Sequence, residues 1–134
     1  MFIIYINDIG EHLLSLSRLF ADDTSLGYSS DNKIELMNVI DLDLNELNNW
    51  SSWWLMSFNP DKTEIMLFSN REVEGDINFS FDGKPVPLVK SHKHLGLTMN
   101  SDGKWTDHIN NITNSATKHL NILRKLKYVL NEKI

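Results

Sequence analysis

Two adjacent aspartates, Asp22 and Asp23, are the residues whose type and spacing most directly suggest chemistry. Like charges this close together are unfavourable unless a cation or strong hydrogen-bond donors offset the repulsion. Hard divalent cations such as Mg²⁺ bind oxygen ligands, often one or two carboxylates together with substrate phosphates. In two-metal nucleotidyl transfer, such ions activate the attacking hydroxyl and stabilise the leaving oxygen. Because neighbouring residues of a strand point to opposite faces, Asp22 is predicted to be the principal ligand, with Asp23 nearby.

The aspartate pair interrupts a segment that otherwise has the composition of two β-strands. Residues 17–21 and 24–28 are aromatic, apolar and β-branched, which predicts a strand, a tight turn at Asp22-Asp23 and a second strand. The pair lacks the glycine that two-residue turns usually prefer, so something other than turn chemistry is expected to hold it there. A solvated surface turn is the alternative for the dipeptide taken by itself.

A long helix is predicted over residues 33–54. Ser30, Asp31 and Asn32 are candidate N-caps, and Glu35 follows Asn32 by three residues. Apolar residues recur at steps of three and four, at Leu36, Ile40, Leu44, Leu47, Trp50 and Trp54, with Trp53 beside them. The tryptophans are predicted to pack in the core, in preference to stacking on nucleic-acid bases.

A second, basic helix is predicted at the end of the chain. Arg124, Lys125 and Lys127 lie near its C-terminal end, where positive charge suits the helix dipole. Its apolar positions are Trp105, Ile109, Ile112, Ala116, Leu120, Leu123, Leu126 and Leu130.

Short strands are predicted between the two helices. Residues 63–68 and 94–99 each have the composition of one strand, and 77–89 predict a hairpin over a type I′ turn at Asp82-Gly83. The predicted fold class is therefore α+β, with a β-hairpin, a long helix, short antiparallel strands and a basic helix in that order.

The amino-acid composition limits the class of protein and the kinds of site that the chain can contain. The 134 residues are 41% hydrophobic and 23% charged, which suits one globular domain. The absence of cysteine excludes a disulfide framework, a thiolate nucleophile and a zinc knuckle. The apolar start, 1–6, is too short to span a bilayer and lacks a cleavage pattern, so neither a signal peptide nor a membrane anchor is predicted.

The formal charge of −5 conceals two halves of opposite sign. Residues 1–83 carry four basic and fifteen acidic side chains, a net charge of −11, whereas 84–134 carry nine basic and three acidic ones, a net charge of +6. Such a division can place metal-binding carboxylates beside a phosphate-binding surface. Two solvated surfaces are the alternative.

The longer strings around the aspartates resemble a known family. Residues 20–26, Phe-Ala-Asp-Asp-Thr-Ser-Leu, preceded at 2–9 by Phe-Ile-Ile-Tyr-Ile-Asn-Asp-Ile, resemble the reverse transcriptases of non-LTR retrotransposons. Further similar motifs follow in the family's order: the helix ending at Trp54, the Asn-x-x-Lys-Thr segment 59–63, and His94-Leu95-Gly96-Leu97. Trp105, His108-Ile109 and the basic helix resemble the start of the thumb, so the likeness covers nearly the whole chain.

This resemblance implies a role for each matching residue. Asp22 and Asp23 would be the metal-binding aspartates of the palm hairpin, and Lys62 would approach the triphosphate leaving group. His94, Leu95 and Gly96 would form the primer grip, where Gly96 lets the backbone approach the primer's phosphates. Lys118, Arg124, Lys125 and Lys127 would contact the template-primer duplex. A solvated Lys62, a β-bulge at Gly96 and a solvated basic helix are the alternatives.

The family also implies partners and an organisation for the chain. Residues 1–100 would be part of a palm and 101–134 the start of a thumb, and 2–6 would end a helix although their propensity favours a strand. The parent protein would use Mg²⁺ or Mn²⁺, an RNA template, a DNA primer and deoxynucleoside triphosphates. Localisation inside the cell, nuclear or cytoplasmic, is expected, with no membrane partner. The five histidines show no metal-ligand spacing and receive no catalytic role.

The chain departs from the family in what precedes the hairpin. The family's other metal-binding aspartate, the fingers and the template grip lie upstream of the matching region. We therefore expect a weak metal site, a partly exposed hydrophobic surface and no activity of this chain alone. Two functions stay open: a piece of an RNA-directed DNA polymerase, or a non-enzymatic remnant that binds nucleic acid weakly through residues 84–134.

Overall fold

The computed structural model describes residues 8–70 and 75–131. They form an α+β fold with two α-helices and three separate two-stranded antiparallel sheets, which confirms the predicted class. The prediction for residues 2–6 lies outside the described residues. In chain order the elements are β1 Leu16–Phe20, β2 Asp23–Gly27, α1 Lys33–Trp53, a 3₁₀ helix Pro60–Lys62, β3 Phe79–Phe81, β4 Lys84–Val86, β5 Ser91–His94, β6 Leu97–Asn100 and α2 Thr106–Asn131.

The described residues divide into two compact units. The first contains 8–65 and 75–88, and the second contains 66–70 and 89–131. The assignment of palm to 1–100 and thumb to 101–134 stays a prediction. Within the part of the chain that the structure describes, neither helix has the length and apolarity needed to cross a bilayer.

Helix α1 begins and ends with local hydrogen bonds. The Asn32 side chain accepts from the backbone N–H groups of Ile34 and Glu35, so Asn32 is the N-cap among the three candidates. At the other end, the N–H of Met56 donates to the Ser51 carbonyl and that of Leu55 to the Ser52 carbonyl. These two bonds form a Schellman motif, in which Leu55 has the left-handed φ of 52° that usually favours glycine.

The core belongs to the first unit. Helix α1 packs on β3, and the buried apolar side chains are Ile9, Leu44, Leu47, Trp50, Phe79, Phe81 and Val86. The prediction that all three tryptophans of the helix are buried is wrong. Trp50 is 6% exposed, but Trp54 is 42% and Trp53 71% exposed. Trp53 lies off the apolar stripe, and Trp54 lies in the helix C-cap, where its ring only partly covers Trp50 at a centroid distance of 6.4 Å.

The hairpin over Asp82-Gly83 is confirmed. Phe81 pairs with Lys84, and both turn residues have positive φ, 50° and 71°, as a type I′ turn requires. The strand predicted for 63–68 is wrong, because only Ile65 forms an isolated bridge, with Leu88.

Two further strand predictions need correction. Residues 94–99 are not one strand, since His94 ends β5 and Leu97 begins β6 around a turn at Leu95-Gly96. Both turn residues have positive φ, 48° and 86°, so the glycine supplies a type I′ turn rather than a bulge within a strand. The turn of the first hairpin is Ala21-Asp22 rather than Asp22-Asp23, because Phe20 pairs directly with Asp23.

Helix α2 is largely exposed from Thr106 to Tyr128. It contacts β6 near its N-terminal end, through His108 and Asn111. Arg124, Lys125 and Lys127 do not occupy its last turn, since the helix continues to Asn131, so the predicted benefit from the helix dipole is wrong. The expected exposed hydrophobic surface is confirmed, and on this helix it includes Ile109, Ile112, Leu120, Ile122, Leu123, Leu126 and Tyr128.

Candidate functional site

The two aspartates lie at one end of the β1–β2 hairpin in different local settings. Asp22 is the second residue of the turn, whereas Asp23 is the first residue of β2 and pairs with Phe20. Both side chains are exposed. Ala21, the first turn residue, has φ 54°, a conformation that L-residues other than glycine rarely adopt. The hairpin thus holds Asp22 at its tip at some cost in backbone strain.

A cavity of about 400 Å³ lies against this tip. Ala21, Asp22 and Thr24 line it, and Asp23 does not. The rest of the lining is mostly apolar and comes from the start of the described chain, the end of α1 and the segment after it, as Ile9, Trp50, Leu55, Met56, Ser57 and Phe58. Asp22 is therefore the aspartate that borders this open cavity.

The cavity wall is held by a small aromatic cluster. The Trp50 indole N–H donates to a carboxylate oxygen of Asp8 at 3.0 Å, which satisfies its polar group at the edge of the core. The Phe58 ring lies between Trp50 and Phe81, at centroid distances of 6.2 and 5.5 Å. These contacts connect the segment after α1 to the β3–β4 hairpin.

Asp43, a residue that sequence reasoning did not single out, positions the entry to β1. Its side chain is 1% exposed, and its two carboxylate oxygens accept the backbone N–H groups of Leu14 and Ser15, each at 2.8 Å. A carboxylate this buried is stable only when its oxygens are paired. Its position three residues after Ile40 and four before Leu47, on the apolar face of α1, is the sequence signal that could have identified it.

The described residues do not complete a metal site. Nowhere in 8–70 or 75–131 do three carboxylate or imidazole side chains stand together as potential ligands. Asp22 and Asp23 supply two carboxylates, which by themselves cannot fix two ions in a defined geometry. Lys62 ends the 3₁₀ helix with an exposed side chain and is not among the residues that line the cavity. The structure places Lys62 in the same unit as the aspartates, and its catalytic role stays a prediction.

The second unit contains the remaining predicted residues. Leu95 and Gly96 form the exposed tip of the β5–β6 hairpin, and His94 is the residue that precedes the turn. Gly96 is the only one of these three at the cavity of about 230 Å³ between this hairpin and α2. The cavity is lined by Lys93, Gly96, Thr98, His108, Asn111, Ile112 and Ser115.

His108, near the start of α2, holds this helix against the β5–β6 hairpin. In the β5–β6 hairpin, His94 and Leu97 flank the turn, and Lys93 and Thr98 form the next pair. This next pair is not hydrogen-bonded across the strands, so the Thr98 N–H points outward from the sheet edge. This N–H donates to Nδ1 of His108 at 3.2 Å, and the Asn111 amide donates to the Thr98 hydroxyl at 3.4 Å. His108 therefore has a structural role that its spacing did not indicate.

The basic residues of α2 are all exposed but do not form a single stripe. At 100° per residue, Lys118 and Lys125 lie about 20° apart, and Arg124 lies about 100° from Lys125. Lys127 lies a further 60° or so beyond Arg124. Three cations thus share a broad face, and the fourth lies at its margin.

Two ionisable groups near the start of α1 have perturbed pKa values. Hydrogen bonds from the hydroxyls of Ser30 and then Tyr28 lower the pKa of the Glu35 carboxyl. The same bond to Glu35 raises the pKa of the Tyr28 phenol, because it favours the protonated form. Glu35 is exposed and Tyr28 half-buried, and both lie near the start of α1 rather than at the hairpin tip.

Comparison of the chain with protein-family models, with curated proteins and with solved structures gives no match.

Proposed function

We propose that this chain is the hairpin-bearing part of a nucleotidyl-transfer domain of the reverse-transcriptase kind, as found in non-LTR retrotransposons. The observation that carries the proposal is the placement of Asp22 and Asp23 at the tip of an antiparallel hairpin, with Asp22 facing a cavity. The order of the motifs along the sequence supports the same assignment. In this proposal Asp22 is the principal metal ligand and Asp23 the second.

The other roles follow from chemistry and placement. Lys62 neutralises charge on the departing pyrophosphate. The tip at His94, Leu95 and Gly96 approaches the primer backbone, where a glycine allows close contact. Lys118, Arg124, Lys125 and Lys127 contact phosphates of the template-primer duplex in a sequence-independent way.

The chain alone is proposed to be inactive. A two-metal reaction needs more ligands than the two carboxylates that the described residues bring together. Mg²⁺ or Mn²⁺ would bind Asp22 and Asp23 only weakly, because one or two carboxylates without substrate phosphates leave most coordination positions to water. Deoxynucleoside triphosphates, an RNA template and a DNA primer would be substrates of a longer protein.

A second candidate function is weak nucleic-acid binding without catalysis. It is favoured by the net charge of +6 over residues 84–134 and by the exposure of the cations on α2. Binding of this kind would survive Asp22→Asn and weaken steeply with salt.

Paramagnetic broadening by Mn²⁺, followed by NMR, tests the hairpin assignment directly. Substoichiometric Mn²⁺ should broaden the amide signals around Asp22 and Asp23 before other signals, and Asp22→Asn should abolish the effect. Asp82→Asn is a matched control, since Asp82 is an exposed aspartate in another two-residue hairpin turn and asparagine tolerates its positive φ. Equal broadening at Asp22 and Asp82, or none at either, would contradict the proposed metal role.

A further inference from the structure

Two histidines lie side by side on the β5–β6 hairpin. His92 and His94 are alternate residues of β5, so their side chains leave the same face of the sheet. Their ring centroids are 6.2 Å apart, and the two rings are inclined by 30°. Both side chains are half-buried. The spacing that relates ligands on a helix does not relate these two residues, and it is the strand that brings their imidazoles together.

A methionine lies on the same face in the neighbouring strand. His92 pairs with Met99 and His94 pairs with Leu97. Directly opposite residues of an antiparallel pair share a face, with Cβ atoms about 4.5–5.5 Å apart. Met99 is half-buried, and Leu97 is 47% exposed. This face therefore presents two imidazoles and one thioether beside an aliphatic side chain, and we call His92, His94 and Met99 the imidazole–thioether cluster.

The imidazole–thioether cluster is separate from the cavity against α2. Lys93 and Thr98 form the pair between those of the cluster, so their side chains point to the other face of the hairpin, where both line that cavity. The Asn111 amide donates to the Thr98 hydroxyl on that side. None of the three cluster residues lines this cavity or the one beside Asp22.

We propose that the imidazole–thioether cluster binds one Cu(I) ion. Imidazole nitrogen suits copper, zinc and nickel, whereas a thioether is a soft ligand that favours Cu(I). Hard ions such as Mg²⁺ and Mn²⁺ prefer oxygen from carboxylates and water, which the cluster does not offer. The combination of two imidazoles with one thioether therefore selects Cu(I), and it leaves a further coordination position open to an outside ligand.

The distance between the rings suits a shared ion. With a metal–nitrogen bond of about 2.0 Å, each ring centroid lies roughly 3.2 Å from the ion, since a ring nitrogen is about 1.2 Å from the centroid. Two such centroids would be about 5.2 Å apart at a tetrahedral angle and about 6.4 Å apart in a linear arrangement. The observed 6.2 Å lies between these values. Rotation of the two side chains can supply the movement of about 1 Å that a tetrahedral angle requires.

This inference goes beyond the proposed function and does not depend on it. The metal role proposed for Asp22 and Asp23 concerns hard divalent ions in the first unit, whereas the cluster offers softer donors in the second. Copper binding is measured without nucleic acid or nucleotide. Its failure would leave the proposal of nucleotidyl transfer unaffected.

Competition against a chromophoric Cu(I) chelator, under anaerobic reducing conditions, tests the proposal with the full chain. The chain should withdraw one equivalent of Cu(I) from the chelator. His94→Gln should weaken the affinity at least about 10-fold, and so should Met99→Leu, which keeps the side-chain volume and removes the sulfur. The controls are His119→Gln, at an exposed position of α2, and Met37→Leu, beside the core of the first unit. Each should change the affinity by less than about 2-fold.

Zn²⁺ and methyl NMR separate the thioether from the imidazoles. Zn²⁺ affinity should fall with His94→Gln and not with Met99→Leu, because zinc binds imidazole and not thioether. Among the five methionine methyl signals, Cu(I) should shift that of Met99 most, and the loss of this signal in Met99→Leu assigns it. The methyl shift tests the parent chain even if a variant fails to fold. No withdrawal of Cu(I), a larger shift at another methionine, or a Cu(I) affinity unchanged by Met99→Leu would overturn the proposal.

Discussion

Replacing Asp43 should destabilise the fold more than any other single change to a charged residue in the first unit. Asp43→Ala removes the acceptor for two backbone N–H groups, those of Leu14 and Ser15. Hydrogen bonds to a charged group contribute about 1.5–3 kcal/mol each, and an unsatisfied buried donor costs about 1–3 kcal/mol. Ser15 is buried, but Leu14 is exposed and water can reach its N–H, so the full cost applies to one donor only. The expected loss is about 2–4 kcal/mol in the free energy of unfolding.

Urea denaturation followed by circular dichroism measures this loss. Asp43→Asn should fall between the parent and Asp43→Ala, because the amide keeps one acceptor and turns a donor toward the other N–H. Asp41→Asn is the control, since it removes the same charge from an exposed position of the same helix and should change stability by less than about 0.5 kcal/mol. If Asp43→Ala were no more destabilising than Asp41→Asn, the positioning role of Asp43 would be refuted.

Four other predictions concern the two ends of α1 and the cations of α2. Leu55→Gly should stabilise the protein by about 0.5–1 kcal/mol in the same urea assay, because glycine relieves the left-handed φ at a side chain that is 94% exposed; a loss of stability would show that Leu55 packs. Ser30→Ala should raise the pKa of Glu35 toward its ordinary value in an NMR titration, since the Ser30 hydroxyl is the main cause of the lowered pKa, and an unchanged value would contradict this. Because the pKa of Glu35 is lowered on folding, its contribution to the free energy of unfolding should be present above the ordinary carboxyl pKa and disappear as the pH falls through the folded-state pKa. Urea denaturation at several acidic pH values measures this, and a Glu35 contribution that grows as the pH falls would contradict it. Changing Lys118, Arg124 and Lys125 together to glutamine should weaken binding to an RNA–DNA hybrid and reduce the salt slope by about 2–3, as fluorescence anisotropy would show, whereas an unchanged slope would exclude phosphate contacts at these residues.

The features that were predictable from sequence are those fixed by neighbouring residues. The Asn32 cap needs only its own side chain and two N–H groups one turn away, and the Asp82-Gly83 turn needs only residues that accept positive φ. Both are local: the turn was predicted correctly, and Asn32 was one of three candidate N-caps. Helix α1 was also predictable, because apolar residues recur at helical spacing over its 21 residues.

The features that were not predictable depend on distant contacts or on unfavourable local conformations. Ala21 and Leu95 both adopt positive φ at hairpin tips, where sequence preference argues against them. Asp43 acts on residues 28 and 29 positions away, so no local pattern indicates its partners. The exposure of Trp54, which lies on the apolar stripe, depends on what packs beyond the end of α1, which a helical period cannot show.

Primer extension on an RNA template tests the central claim most directly, with the purified full-length chain, Mg²⁺ or Mn²⁺, and deoxynucleoside triphosphates. Circular dichroism and binding of the template-primer at low salt would establish that the chain is folded and engages its substrate. We expect binding that falls steeply with salt and no incorporation, either by the parent chain or by Asp22→Asn. Incorporation by the parent chain that Asp22→Asn abolishes would contradict the proposed inactivity, and absence of template-primer binding at any salt concentration would contradict the assignment to a polymerase.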